Sequence, residues 1–296
     1  MTLRNWLLLI LLSVLWGGTF FFVAVALPEI PPLTLVLARC VIATLALVPL
    51  LLALGFQFPT GRAAWRDFTV MAVLNNIIPF TLIFYGQKVV PSGLAAVLNA
   101  TTPLMALLVM RFVAGEGWTS NKIAGVLLGL AGVAILIGPD AISGTSFAMA
   151  VGMLAILGGT VSYGFSGLWG RRLRAFPPPV SAASQLLCSS LLLLPMAASI
   201  DQFWILARPS QSALLATLAL GILSTAIAYI LFFEIMRSAG ALNVMLVTLL
   251  IPFTSIALGA LYLGETLSVQ QVAGALVIGM SLLVIDGRLF GVKPPE

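Results

Sequence analysis

Histidine is missing from the 296 residues altogether, and only 8% of them carry a charge. The first absence removes the commonest metal ligand and the usual general base near neutral pH. The second excludes a soluble globular fold, whose surface needs about a quarter of its residues charged. Cysteine is nearly absent too. Cys40 and Cys188 both stand inside apolar runs, where they read as small buried hydrophobes rather than a disulfide. No G-x-x-x-x-G-K-[S/T] loop occurs, so the chain does not carry its own ATPase. No cluster of Cys, Asp or Glu suggests an intramembrane enzyme, and neither a metal nor a cofactor is expected.

What fills the chain is hydrocarbon: 61% of residues are hydrophobic and the mean hydropathy is +1.16. Apolar runs recur along its length, each long enough to cross roughly 30 Å of bilayer as a helix. A transmembrane barrel would alternate apolar and polar residues instead. The expected fold class is therefore an all-α polytopic membrane protein. Ten spans are read at about 5–27, 33–54, 67–87, 93–113, 121–138, 147–169, 179–199, 212–236, 241–263 and 268–287. Short turn-forming links join them, among them Pro28-Glu29-Ile30-Pro31-Pro32, Gly138-Pro139-Asp140 and Phe176-Pro177-Pro178-Pro179. The first span has an Arg4 before it and a small-residue Ala24-Val25-Ala26, as a signal peptide would. Its apolar stretch, Trp6 to Leu27, is too long for one and has a counterpart later in the chain.

A net charge of +5 and a pI near 9.7 do not point to nucleic acid, because the cations sit in short loops. With a cytoplasmic N-terminus, the inner segments hold Arg4, Arg62, Arg66, Arg111, Lys122, Arg171, Arg172, Arg174, Arg237, Arg288 and Lys293. The outer segments hold only Lys88 and Arg208. That bias places both termini in the cytoplasm. Arg171, Arg172 and Arg174 also suit anionic lipid, although orientation alone accounts for them.

The chain repeats itself. Gly18, Pro31 and Pro49 match Gly164, Pro177 and Pro195 at an offset of 146, and Pro103, Glu116, Ala124 and Gly125 match Pro252, Glu265, Ala273 and Gly274 at 149. A three-residue insertion reconciles the offsets. Five spans thus align with five, residues 1–140 with 141–296, as one transport unit. An odd number of spans per half turns the second upside down, the construction plan of many secondary transporters.

The WGGTFF of Trp16 to Phe21, the LARCVIA of Leu37 to Ala43, and the doubled P-x(11)-GE block followed by Ala-Gly carry a family resemblance. The chain resembles the drug/metabolite transporter superfamily in its ten-helix EamA-type branch, and within it YddG-type bacterial inner-membrane exporters of amino acids. The resemblance implies a cavity lined by both halves, alternating access, and export of amino acids, aromatic or apolar, with threonine and methionine as further candidates. The partners implied are a small-molecule substrate and the lipid bilayer, with no nucleic acid, in a monomer or weak homodimer. Two alternatives stay open: a multidrug or other metabolite effluxer coupled to protons on the same fold, and, less favoured, an intramembrane enzyme.

Candidate site residues follow from depth. Arg39 is an ionisable group well inside the second span. It reads as a gate or carboxylate partner, or as an arginine snorkelling to hydrogen-bond helix ends. Its counterpart is Gln185. Neutral polar and aromatic groups at mid-depth suit a small zwitterion with an apolar side chain: Trp16, Thr19, Asn75, Asn76, Pro79, Asn99, Thr101, Tyr163, Ser166, Trp169, Ser224 and Tyr229. The same hydroxyls and amides also serve as glue between helices. Pro79, Pro103 and Pro252 free backbone carbonyls. Glu116 and Glu265, each beside a glycine at a helix end, read as structural anchors with Pro103 and Pro252, capping the helix that follows. Glu234 and Arg237 pair on one helical face, and Lys88 and Glu29 near the outer face read as ordinary solvated loop charges in preference to a gate pair. Gly125-x-x-x-Gly129 with Gly132 packs within the fold or against a second copy. No Asp, Glu or His stands at mid-span, which favours uncoupled transport.

Overall fold

The computed structural model describes residues 2–137, 147–240, 244 and 246–286. Within these lie eight helices long and apolar enough to cross a membrane: α1 (Leu3–Ala26), α2 (Pro32–Ala53), α3 (Arg62–Gln87), α4 (Ser92–Ala114), α5 (Ser120–Ile137), α6 (Phe147–Leu173), α7 (Pro178–Ile200) and α8 (Gln211–Ala239). Two shorter apolar helices complete ten, α9 (Val247–Tyr262) and α10 (Val269–Asp286). The chain is an all-α polytopic membrane protein, as its composition requires. The read spans agree with these helices, except that α3 begins five residues earlier, at Arg62, α6 runs on to Leu173 and α8 to Ala239, and α9 begins at Val247 rather than at 241, where residues 241–243 and 245 fall outside the described residues. The Gly138-Pro139-Asp140 turn, the 140/141 boundary, Arg288 and Lys293 fall outside the described residues.

The doubled block explains itself at the backbone. Gly115 and Gly264 both adopt left-handed φ, +69° and +66°, where a residue with a Cβ is strained. The following glutamates then turn their own N–H back six residues, Glu116 to the Met110 carbonyl at 3.2 Å and Glu265 to Gly259 at 3.1 Å. This left-handed closure, one residue wider than a Schellman motif, satisfies carbonyls that a membrane helix cannot leave bare. The Gly-Glu pair is the same helix stop made twice.

Two π-helical segments also correspond, Val73–Ile77 in α3 and Ile222–Ile227 in α8, again 149 residues apart. In the first, the Ile78 N–H reaches back to Val73. The next carbonyl, Leu74, would need the N–H of residue 79, and Pro79 has none. Ser162 of α6 supplies the missing donor at 2.7 Å. Pro103 orphans Asn99 in the same way. There the Thr102 hydroxyl takes the carbonyl at 2.7 Å, beside Thr101 on Leu98, where α4 breaks at residues 100–101.

Thr44 on α2 and Ser190 on α7, equivalent at the 146 offset, hydrogen-bond each other at 3.3 Å. A residue that meets its own counterpart marks the pseudo-two-fold axis. Far from it, α5 packs along α10. A Cβ on Gly125 would meet Ile285 Cγ1 at 2.5 Å, and one on its counterpart Gly274 would meet backbone atoms of Leu136 at 2.8 Å. The glycine stripe thus serves contact within the fold. Gly274→Val should cost about 1–3 kcal/mol, because backbone cannot yield to the added methyls. Thermal unfolding in detergent checks this against Gly279→Ala, whose Cβ meets nothing within 4 Å; equal melting of the two would refute the packing account.

Candidate substrate site between the repeats

The polar residues read at mid-depth converge from both halves. Asn75, inside the α3 π-segment, donates to Gln185 Oε1 of α7 at 3.0 Å and accepts from Ser166 of α6 at 3.1 Å. Arg39 of α2 makes the matching contact on the other side. Its Nε donates at 2.9 Å to Thr225, inside the α8 π-segment, and Thr225 in turn donates to the Leu220 carbonyl at 2.8 Å. Gln185 is the repeat counterpart of Arg39. A polar side chain on each of α2 and α7 therefore ties into the wound-out turn of a helix in the other half. π-turns recur at functional sites, since they present extra backbone and widen the helix locally.

Around this frame stand aromatics. The Arg39 guanidinium lies 3.9 Å from the Phe80 ring centroid, a cation–π contact. Tyr163 and Tyr229 are near enough to interact with its charge, and Tyr229 also lies against Asn75. Trp16 tilts against Phe232 with ring centroids 5.5 Å apart. Asn99 keeps its Oδ1 buried without a partner, as does Ser224 its Oγ in the α8 π-segment.

Not every expected residue joins. Asn76 turns to Ser189 at 2.9 Å, and the Thr101 hydroxyl is engaged by its own backbone. Thr19 and Pro79 are buried on α1 and α3. Trp169 stands near the end of α6, with Arg172 4.2 Å over its ring, rather than at mid-depth. Reasoning from the sequence gave Thr225 and Gln185 too little weight and missed Phe80 and Ser162. Pro79, which adjoins Phe80 and bares the carbonyl that Ser162 meets, was the available signal; the helix of Thr225 contains no proline.

The anchors sit at the two faces. On one, three carboxylates hold helix N-termini of the other half. Glu265 accepts from Ser92 N and Oγ, both at 2.8 Å, and from Gly93 N at 3.1 Å, at the start of α4. Asp201 accepts from Thr34 N at 2.7 Å and its hydroxyl at 2.9 Å, at the start of α2. Glu29 accepts from Ser210 N and Oγ, both at 2.6 Å, at the start of α8. Glu265 thus caps α4 and not the helix that follows it, because α4 presents free N–H groups at the same membrane level. Glu29 is engaged with Ser210 rather than with Lys88, although both line a cavity of about 620 Å³ that opens on this face. On the opposite face Glu116 pairs with Arg171 instead of capping α5. Glu234 bridges Arg4 and Arg237, each at 2.9 Å.

A bundle of ten apolar helices in two matching halves, joined at mid-depth by side-chain hydrogen bonds, follows the construction plan of many secondary transporters. The EamA-like transporter family model matches twice, over residues 4–138 and 150–286, and the chain belongs to that family. It is 29% identical over 291 residues to an uncharacterized inner membrane transporter of Escherichia coli K12, YedA, covering 96% of this chain and 91% of that one. It is 28% identical to the uncharacterized transporter YvbV of Bacillus subtilis 168, covering 96% and 92%. A protein of Salmonella typhimurium LT2 described as a "Probable amino-acid metabolite efflux pump" is 26% identical, covering 99% and 97%. A solved crystal structure at 22% identity shares the fold with a TM-score of 0.63, over 94% of this chain and 96% of that one.

The Ser210 donors hold the Glu29 carboxyl below its ordinary value of 4.5. A group whose pKa is lowered on folding stabilises the fold above its unfolded value and loses that contribution as pH falls through the folded one. Melting temperature should therefore drop as the pH is taken below 4.5, and Ser210→Ala should flatten that dependence; an identical profile for the variant would remove Glu29 as the cause.

Proposed function

We propose that the protein exports small metabolites from the cytoplasm, foremost amino acids with apolar or aromatic side chains, by uncoupled alternating access. The observation that carries this reading is the mid-depth cluster of Asn75, Gln185, Ser166, Thr225, Tyr163 and Tyr229, neutral hydrogen-bonding groups beside aromatics drawn from both repeats. Such a lining binds polar heads by hydrogen bonds and apolar side chains by contact. The positive-inside bias supports a cytoplasmic location for the face bearing Arg4, Arg171 and Arg237, and an external one for the carboxylate-capped face with its 620 Å³ opening. The Salmonella relative's description agrees with the substrate class. Inner-membrane residence follows the E. coli relative.

Uncoupled movement is supported by where the acids stand. Glu29, Glu116, Asp201, Glu234 and Glu265 are held at helix ends, and Asp67 lies beside Arg66 near the start of α3. A proton- or sodium-coupled site places a carboxylate at mid-depth instead. The competing reading, a proton-coupled multidrug effluxer, needs such a group for its cation.

Purified protein in liposomes should show counterflow of labelled phenylalanine, methionine or threonine, at rates independent of an imposed proton gradient. Movement of none of the three would end the substrate assignment, and gradient-dependent flux would end the uncoupled mechanism. Trp16→Ala and Asn99→Ala should each slow counterflow about three- to tenfold, the scale of one lost aromatic or hydrogen-bond contact, at unchanged membrane expression.

A further inference from the structure

We propose that Arg39 receives the carboxylate of the transported molecule end-on at Nη1 and Nη2, so that an anionic group is a requirement for binding. The proposal rests on the transport reading above and narrows it to a recognition chemistry.

Arg39 retains only 6% of its surface, in the interior of α2. A buried guanidinium carries a desolvation cost that must be met by a counter-charge or by complete hydrogen bonding. Neither is present in full. Nε donates to Thr225, and one face of the guanidinium rests on Phe80. Nη1 and Nη2 donate to nothing among the described residues. They are not among the sealed, unpartnered atoms either, unlike Asn76 Oδ1 and Ser224 Oγ, so they keep access to the space beside them. Among the residues whose side chains are described, a counter-ion from the protein is also lacking, since Glu29, Asp67, Glu116, Asp201, Glu234 and Glu265 are all engaged at the two faces. Snorkelling would carry the group out to a helix end. Here it turns across the bundle and bonds the far repeat.

The two terminal nitrogens of an arginine match the two oxygens of a carboxylate, in parallel charge-assisted bonds. With Nε fixed on Thr225, the remaining pair presents that fork. The tyrosine hydroxyls of Tyr163 and Tyr229, near enough to feel the charge, complete a donor-rich wall. Gln185, the counterpart of Arg39, is neutral and holds Asn75, so the site has one charged end and one neutral end. A molecule of the same shape with an amide in place of its carboxylate lacks the counter-charge and should be refused.

The test uses the full-length protein and two matched pairs, phenylalanine with phenylalaninamide and phenylacetate with phenylacetamide. Thermal stabilisation in detergent and competition against labelled phenylalanine counterflow should both favour each acid over its amide by about ten- to a hundredfold in concentration, the range for a charged hydrogen bond. Arg39→Gln should erase the preference, and Arg39→Lys, which keeps charge but not the fork, should restore part of it. Acids and amides acting alike on the wild-type protein would overturn the proposal, whether or not either variant folds. If phenylalanine is not moved but phenylacetate still stabilises where phenylacetamide does not, the arginine site stands and the amino-acid assignment falls. If no acid outperforms its amide in either assay, the site falls whatever the protein transports.

Discussion

Everything polar in this chain must find its partner inside the protein, because hydrocarbon offers none. That single constraint explains details that would otherwise look unrelated. Proline deletes a donor at residues 79 and 103, and a serine or threonine hydroxyl meets the bared carbonyl each time. Glycine ends α4 and α9 in a left-handed turn whose following N–H closes the last carbonyls. Carboxylates cover the first N–H groups of α2, α4 and α8. In each of those three caps the carboxylate and the helix belong to different repeats. Satisfying helix ends and joining the two halves are therefore one arrangement.

The same constraint makes the exceptions informative. Among the described residues nine buried side-chain atoms lack a partner, Oδ1 of Asn99 and Oγ of Ser224 among them, and Nη1 and Nη2 of Arg39 also donate to nothing. The Arg39, Asn99 and Ser224 atoms lie near the π-segments or the break in α4, where the helices depart from regular winding. A regular helix hides its backbone and positions side chains by a fixed period. A π-turn interrupts that period, so the residues that follow point where the first half of the helix would not send them. Some of the unmet polarity, Asn76 Oδ1, Asn99 Oδ1 and Ser224 Oγ, thus falls in or beside these departures from ideal geometry, where the proposed substrate would lie.

Much of the fold was legible before any coordinates. Ten spans follow from hydropathy, and the pairing of halves follows from residues at two constant offsets. The glycine of the doubled block signals a helix stop because a left-handed residue is needed there. Partnership was less legible. Glu265 precedes α10 in sequence, so capping α10 was the natural inference, yet the free N–H groups nearest to it belong to α4. Which helix ends share a membrane corner is a property of packing, invisible to sequence distance. Asp201 was passed over for the same reason: its partner, Thr34, lies 167 residues away. The π-segments escaped notice because winding depends on one shifted hydrogen bond, and only Pro79 hinted at it.

The inverted repeat also clarifies what symmetry leaves undone. Two copies of one five-helix unit give two corresponding π-segments and, from the equivalent positions Arg39 and Gln185, two cross-repeat bonds into them, to Thr225 and Asn75, which sit one position apart in the repeat. Perfect equivalence would put two guanidiniums at mid-depth, each repelling the other and each needing an anion. Replacing one by glutamine keeps the hydrogen bond that joins the halves, since an amide and a guanidinium edge both reach the opposite helix. It removes one desolvated charge and leaves the interior with a defined polarity. Under the proposed function, a small zwitterion would be oriented by that inequality, carboxylate toward α2 and the neutral remainder toward α7, with none of the carboxylates whose side chains are described taking part. The scaffold is doubled for geometry, and the divergence of one residue pair between the copies supplies the direction that a symmetric site would lack.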